Sequence, residues 1–310
     1  QGGAHYSASK GGIIGMSEGN GHPYSWSAIF NGYNPQFMKS CPFSVIPEYL
    51  SKQKFPEDSI KNAKVTHIWT QDKLISRHIA KASNIDTIVD NYEDLIGKVD
   101  AILLARDDYE NHYTMSKPFI EAGLPIYIDK PLAVTTLEAK KIFSLEKYKN
   151  QIFTCSALSY AKEFSISKAD VAKIGKIAHV DAQLMKYWDT YSMHMIEPTL
   201  KLLKNNNIIK SKDTISKKQI TSDKDKKTVT LNWSNGLITS FTATGNTKSS
   251  IKISLLGTGG YQELTFKDSF YAFKKALQAF INIIQNKDTV SNKSFILNTI
   301  KIIEYGRNNE

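Results

Sequence analysis

Short, unbroken apolar runs alternate with segments of helical period through the first half of the chain. Ala101-Ile102-Leu103-Leu104-Ala105 and Ile126-Tyr127-Ile128 are continuous instead of alternating. That is the pattern of parallel strands buried on both faces. Residues 11–15 read as a first strand running into a glycine turn, 65–69 as a second, 87–89 as a short third and 152–156 as the last. Between them, helices are predicted over 24–30, 73–82 and 136–145. Another ends at Glu121-Ala122, where Gly123 terminates it and Pro125 lies just beyond. The polar stretch 34–64, with Pro35, Pro42, Pro47 and Pro56, reads as an insertion holding a short helix near Glu48-Tyr49-Leu50. Strands alternating with helices indicate an α/β fold with a parallel sheet.

Beyond Gly175 the texture changes. Residues 176–187, 228–233, 237–244 and 250–256 are strand-like and are separated by turn signals such as Ser234-Asn235-Gly236, so a mostly antiparallel sheet is expected. A helix over 268–284 places Phe270, Phe273, Leu277 and Phe280 on one face, which reads as core packing. A terminal helix follows over 292–305. The apolar character of these strands suggests a sheet face covered by another subunit, hence a homodimer or homotetramer.

At 310 residues the chain is long for one core, and two domains are expected. No apolar run has the length of a membrane span, and no signal segment opens the chain. Cys41 and Cys155 stand apart without metal spacing, so no metal site is expected and a reducing cytoplasm is the simplest home. The net charge of +10 raises nucleic acid as a partner, but only Arg77, Arg106 and Arg307 are arginines among 40 basic residues. Arginine is favoured for phosphate and base recognition, and the lysines are scattered. The charge therefore reads as compositional bias, or as a mild pull on an anionic substrate such as a nucleotide-sugar. Tyr6 and Lys10 match the Y-x-x-x-K signature of short-chain dehydrogenases, but no nucleotide-binding half precedes them; residues 1–11 are read as a candidate fusion segment.

Candidate chemistry gathers at the C-terminal ends of the predicted strands, where open α/β sheets bind ligands. Gly15-Met16-Ser17-Glu18-Gly19-Asn20-Gly21-His22 follows the first strand, where glycines let backbone N–H groups approach a pyrophosphate at a helix N-terminus. The spacing is not G-x-G-x-x-G, since Ser17 replaces the second glycine and the loop is longer. Gly15, Gly19, Asn20, Gly21 and His22 are nevertheless candidate dinucleotide contacts; His22 is alternatively a helix cap. Asp72 ends the second strand, where a carboxylate accepts from the ribose hydroxyls and repels a 2′-phosphate, favouring NAD over NADP. Arg106, after Ala105, either meets the pyrophosphate or a phosphorylated substrate, or pairs with Asp107 or Asp108. Asp129-Lys130-Pro131 ends the strand at Ile128, with Lys130 restricted by the following proline.

From strand 101–105 through His112 and Ala122-Gly123 to Asp129-Lys130-Pro131, the segment resembles the Gfo/Idh/MocA family of NAD(P)-dependent sugar and cyclitol dehydrogenases, with Asp129 in place of the family's Glu. The resemblance implies an N-terminal Rossmann doubly wound parallel sheet (12–157, with the insertion 34–64). A C-terminal α+β domain (158–310) with a mostly antiparallel sheet would follow. It implies NAD as cofactor, NADP being the lesser alternative, with Asp129 and Lys130 beside it and a sugar, cyclitol or nucleotide-sugar as substrate. It further implies that Lys130 hydrogen-bonds the substrate hydroxyl. Trp188 to Pro198 resembles the family's substrate helix, in which an Asp lies four residues before a catalytic His. His194 matches that histidine and is the candidate general base. The four-back position is Thr190, and Asp189 lies on a different helical face. Asp189 still orients the site, Tyr191 or Glu197 has taken over, or redox chemistry is lost. Tyr191, His194, Glu197 and Lys130 are the candidate substrate contacts, and His112 reads as structural. The rival class is a non-catalytic regulator that binds NAD or a nucleotide-sugar on the same fold.

Overall fold

The computed structural model describes residues 9–16, 19–285 and 293–307, and these form two compact units. The first unit takes residues up to Leu132, then Lys141–Thr154, then residues from Lys274 onward in the penultimate helix. The chain runs β1 (Ser9–Gly15), α1 (His22–Asn31), α2 (Pro35–Met38), α3 (Val45–Leu50), β2 (Ala63–Thr70), α4 (Lys73–Ala82), β3 (Thr87–Ile88) and β4 (Ala101–Ala105). It continues through α5 (His112–Glu121), β5 (Ile126–Ile128), α6 (Thr136–Phe143) and β6 (Ile152–Phe153). Six strands form one parallel sheet in the order β3-β2-β1-β4-β5-β6, the doubly wound Rossmann arrangement. All five residues of β4 and all three of β5 are buried, the reason their sequences do not alternate.

β1 starts two residues earlier than its apolar run. Ser9, Lys10 and Gly11 are part of the sheet, and the Lys10 backbone N–H donates to the Asp100 carboxylate at 2.7 Å. Lys10 is thus a strand residue, while Tyr6 lies outside the described residues. The insertion contributes α2 and α3, and its Phe43 and Ile46 fill the space beside the N-cap of α1. A Cβ on Gly21 would lie 2.6 Å from Ile46 and 3.0 Å from Phe43.

Aromatic rings line the helix side of β5. His22 stacks on Trp26 at 5.0 Å between centroids and Trp26 on Tyr127 at 4.7 Å; Tyr127 meets Phe153 edge-on at 4.7 Å. Phe280 closes this group against Tyr127 and Phe153, so the aromatic stripe of the penultimate helix serves packing there.

The second unit comprises Ala133–Lys140, Cys155–Phe273 and the terminal helix. It adds α7 (Lys168–Ile174), β7 (Ile177–Leu184), α8 (Trp188–Tyr191), α9 (Met193–Asn205), β8 (Ile215–Asp223), β9 (Lys226–Trp233) and β10 (Ile238–Ala243). β11 (Lys252–Gly257), β12 (Tyr261–Thr265), α10 (Ser269–Ile284) and α11 (Lys293–Arg307) follow, α10 passing from this unit into the first. The sheet order is β12-β11-β7-β10-β9-β8, with β7 and β10 parallel and every other pair antiparallel. Val180, Ala182, Leu184, Val229, Leu231, Phe241, Ile253 and Leu255 are buried toward α9 and α11. Their alternates, such as Asp181, Gln183, Thr230, Ser240 and Ser254, are polar. The second sheet face is therefore not the apolar surface that the strand composition suggested.

α11 packs on α8 through Gly306, where an added Cβ would lie 2.3 Å from the Trp188 ring. Trp188 is buried, and its indole N–H donates to the Ile303 carbonyl at 2.8 Å, so the ring cannot simply swing away. Gly306→Ala is expected to destabilise the protein by about 1–3 kcal/mol through overpacking. Urea unfolding checks this, and an unchanged midpoint would show that the ring moves freely.

Candidate active site

In the first unit the site begins where the strand order reverses, at the C-terminal ends of β1 and β4. The loop from β1 to α1 is anchored at its far end. Asn20 Nδ2 donates to Asp129 Oδ2 at 3.1 Å, His22 Nδ1 meets the same oxygen at 2.5 Å, and the His22 backbone N–H donates to Asn20 Oδ1 at 2.8 Å. Asp129 follows β5 directly and is 1% exposed; its Oδ1 accepts the Lys130 backbone N–H at 2.8 Å. Burial pushes the Asp129 carboxyl up, but His22, Lys130 and Asn20 outweigh it and hold the group below the usual carboxylate range. His22 is therefore a ligand of the loop's own anchor as well as the first residue of α1. Ser17 and Glu18 lie outside the described residues.

The glycines have separate local reasons. A Cβ on Gly15 would sit 2.6 Å from the Pro23 ring, so the strand end and α1 approach closely there. Gly19 has φ +85°, and a Cβ there would meet no atom within 4 Å. The turn thus leaves its backbone open to close approach, which suits a dinucleotide phosphate. The first helical amides offer less, since the His22 N–H is taken by Asn20 and Pro23 has none.

Arg106 is buried at the carboxyl edge of the sheet. Nε donates to Asp108 Oδ1 at 2.9 Å, Nη2 pairs with Asp108 Oδ2, and Nη1 reaches Gln71 Oε1 at 2.9 Å and the Gly15 carbonyl at 3.3 Å. The alternative in which Arg106 pairs with Asp108 is the one present, but Arg106 is buried and its other bonds reach the ends of β1 and β2, unlike a surface bridge. Asp72 caps α4, its Oδ1 accepting the Leu74 N–H at 2.7 Å, and its side chain is exposed. Lys130 is 3% exposed, unlike a solvated strand-end lysine. His112 is fully buried, with Nε2 2.8 Å from the Arg106 carbonyl and Nδ1 3.1 Å from that of Leu132. It ties the loop after β4 to the turn after Pro131, the structural role its position suggested.

In the second unit, His194 and Glu197 both face Ser156. His194 Nδ1 lies 2.8 Å from Ser156 Oγ; Glu197 accepts the Ser156 N–H at 2.6 Å through Oε2 and the Ser159 hydroxyl at 2.8 Å through Oε1. Burial pushes the Glu197 carboxyl up to about 7, against the lowering effects of Ser156, Ser159 and Lys201. Tyr191 meets the His194 ring edge-on at 5.6 Å, and its hydroxyl accepts from Lys186 at 2.5 Å. Asp189, expected as a candidate to orient His194, instead forms an ion pair with Arg307 of α11. The chain turns between α8 and α9, so Asp189 and His194 belong to different helices. Gln71, Ser156 and Ser159 were not singled out from the sequence; small polar residues beside strand ends give no periodic signal.

Residues 50–156 match the family model for Gfo/Idh/MocA proteins, described as an oxidoreductase family with an NAD-binding Rossmann fold. No curated protein matches the chain. Among solved structures, myo-inositol 2-dehydrogenase from Lactobacillus plantarum is 13% identical, with a TM-score of 0.67 over 96% of both chains. Myo-inositol dehydrogenase from Lactobacillus casei, in complex with NAD(H) and myo-inositol, is 15% identical, with a TM-score of 0.68 over 97% of this chain and 94% of that one. Biliverdin reductase from Synechocystis sp. PCC 6803, in complex with biliverdin and NADP+, is 12% identical, with a TM-score of 0.63 over 97% and 98%. At these identities the likeness is one of fold. Residues 50–156 are thus similar in sequence to the Gfo/Idh/MocA oxidoreductases, and the two-sheet fold is similar to that of solved inositol dehydrogenases.

Proposed function

We propose that the protein is an NAD-dependent oxidoreductase transferring a hydride between the nicotinamide and a secondary hydroxyl or keto group of a sugar, cyclitol or nucleotide-sugar. One observation supports this most directly. Asn20 and His22 of the glycine loop are bonded to Asp129, which fixes the buried Lys130 beside the loop suited to a dinucleotide. The nicotinamide, when bound, gives or takes the hydride. The backbone around Gly19, together with Gly15 and Gly21, would hold the pyrophosphate. Asp72, exposed after β2, would accept from the ribose hydroxyls and disfavour a 2′-phosphate. Lys130 supplies an ammonium donor to the substrate oxygen, while His194, with Tyr191 and Glu197 near it, supplies the imidazole for proton handling. A homodimer or homotetramer in a reducing cytoplasm belongs to the same reading, as do the buried thiols Cys41 and Cys155. Among the described residues no helix is long and apolar enough to cross a membrane.

Titration with NADH and NADPH, followed by nicotinamide fluorescence, tests the cofactor. NADH is expected to bind more tightly, and Asp72→Ser, which keeps a helix cap but loses the charge, should narrow the gap. Lys130→Ala should lower turnover by about 10²-fold or more on any polyol that the protein oxidises. Binding of neither nucleotide would remove this reading. The pairing of Asp189 with Arg307, leaving His194 without that carboxylate, favours a second reading: a non-catalytic binder of NAD or a nucleotide-sugar. NADH binding without turnover across a broad sugar panel is its expected signature.

A further inference from the structure

We propose that a cavity at the C-terminal end of α9 binds an organic anion, with an apolar ring-bearing body and an acid group held by lysines. The cavity has a volume of about 500 Å³, within the ~300–1,000 Å³ of small-molecule sites. It lies wholly in the second unit, between α9, the loop into β8, the end of β9 and α11. Leu200 and Lys204 line it from α9. They lie roughly 9 and 15 Å along the helix from His194, so this is a second site and not part of the candidate active site.

The walls follow from the local chain. α9 ends at Asn205, and Asn207 takes a left-handed φ of +56°, which turns the chain out of the helix. Asp213 Oδ2 then accepts the Lys210 N–H at 2.8 Å and the Asn235 side-chain amide at 3.0 Å, and that amide also donates to the Ile208 carbonyl at 2.9 Å. These bonds fix the loop as one wall. Leu200, Ile209, Ile215 and Ile302 supply aliphatic surface, and Trp233 and Tyr305 supply rings. The Trp233 indole N–H donates to Thr239 Oγ1 at 3.1 Å, which holds its ring in place.

Charge completes the site. Lys204, Lys210 and Lys301 stand around the cavity, and no carboxylate among the described residues forms an ion pair with any of them. Two of the ammoniums lie beside rings that line the same space. Lys204 Nζ is 5.8 Å from the Phe295 centroid, and Lys301 Nζ is 5.8 Å from that of Tyr305. An acid group on these lysines therefore brings the body attached to it onto the rings. Asp213 is the one acidic residue among those lining the cavity, and its Oδ2 is committed to the loop. Three ammoniums against one carboxylate select an anion. A small inorganic anion would gain nothing from the rings, and a neutral ring compound nothing from the lysines.

Anilinonaphthalene sulfonate is the probe and uncharged N-phenylnaphthylamine the control, each titrated by fluorescence into the full chain. One sulfonate dye per chain is expected. Lys204→Met with Lys301→Met should weaken it about tenfold, as expected for the loss of two exposed charge pairs. The neutral dye should be unaffected, since methionine keeps the apolar stems. Ile209→Trp, which fills the cavity from its loop wall, should abolish binding of both dyes. Saturating NADH should leave the sulfonate dye in place. No sulfonate-dye binding to wild type, an equal loss of both dyes in the lysine variant, or displacement by NADH overturns the proposal. Should Ile209→Trp fail to fold, the lysine variant, altered only at exposed side chains, still decides. It decides equally if the chain binds no NADH, so this site stands or falls apart from the oxidoreductase reading.

Discussion

His22→Ala should lower stability by roughly 3 kcal/mol, near the low end of the range for breaking a buried ion pair by removing one partner. The loss comes from what remains. Asp129 is 1% exposed and, among the described residues, keeps Asn20 and the Lys130 amide as bonded partners of its carboxylate. Asp129→Asn should cost less than His22→Ala, because the buried carboxylate itself is then gone. In the double variant the penalties should be less than additive, since the two groups are in contact. The pH dependence has a definite sign. The folded Asp129 pKa lies below the ordinary carboxylate value, so its contribution is present above the unfolded pKa and fades as pH falls through the folded one. Urea unfolding of the four proteins at neutral and acid pH measures all of this. A His22→Ala midpoint equal to wild type would show that the carboxylate is sustained by Asn20 and the amide alone. The same pair anchors the glycine loop, so NADH affinity should fall together with stability.

The first sheet was legible because its strands are buried on both faces, which leaves runs such as Ala101–Ala105 with no polar interruption. β8 was not. It lies at the sheet edge with only Ile215 and Ile220 half-buried, so its lysine-bearing sequence shows no apolar strand pattern. β12, with Leu264 its one buried residue, was missed for the same reason. At the site, Lys130 could be found from its place after a buried strand. Its link to the loop could not, because His22 and Asp129 meet across 107 residues of sequence. Ser156 was assigned to the last strand of the first domain. β6 ends at Phe153, and Ser156 instead starts a short 3₁₀ turn in the second unit, its Oγ accepting from Leu158. Helical spacing put Asp189 and His194 on different faces of one helix; in the fold they belong to two helices, and Asp189 pairs with Arg307.

Glu197→Gln is the other change expected to have a large effect, and its sign depends on pH. Burial raises the Glu197 carboxyl from 4.5 to about 7, against the bonds from Ser156 and Ser159. The folded chain therefore holds this proton more tightly than the unfolded chain does. Wild-type stability drawn from the group is full below the unfolded pKa and is lost as pH rises toward the folded one, by roughly 3 kcal/mol across the window. Glutamine cannot ionise. Its carbonyl can still accept the Ser156 N–H, and its amide can donate to Ser159 Oγ. The variant should thus match wild type at about pH 4 and below, and exceed it above about pH 7. Subtracting the two stability profiles isolates Glu197 from Asp129, whose effect has the opposite sign and lies at lower pH. Parallel profiles would mean that water reaches the carboxylate and that its ionisation is ordinary.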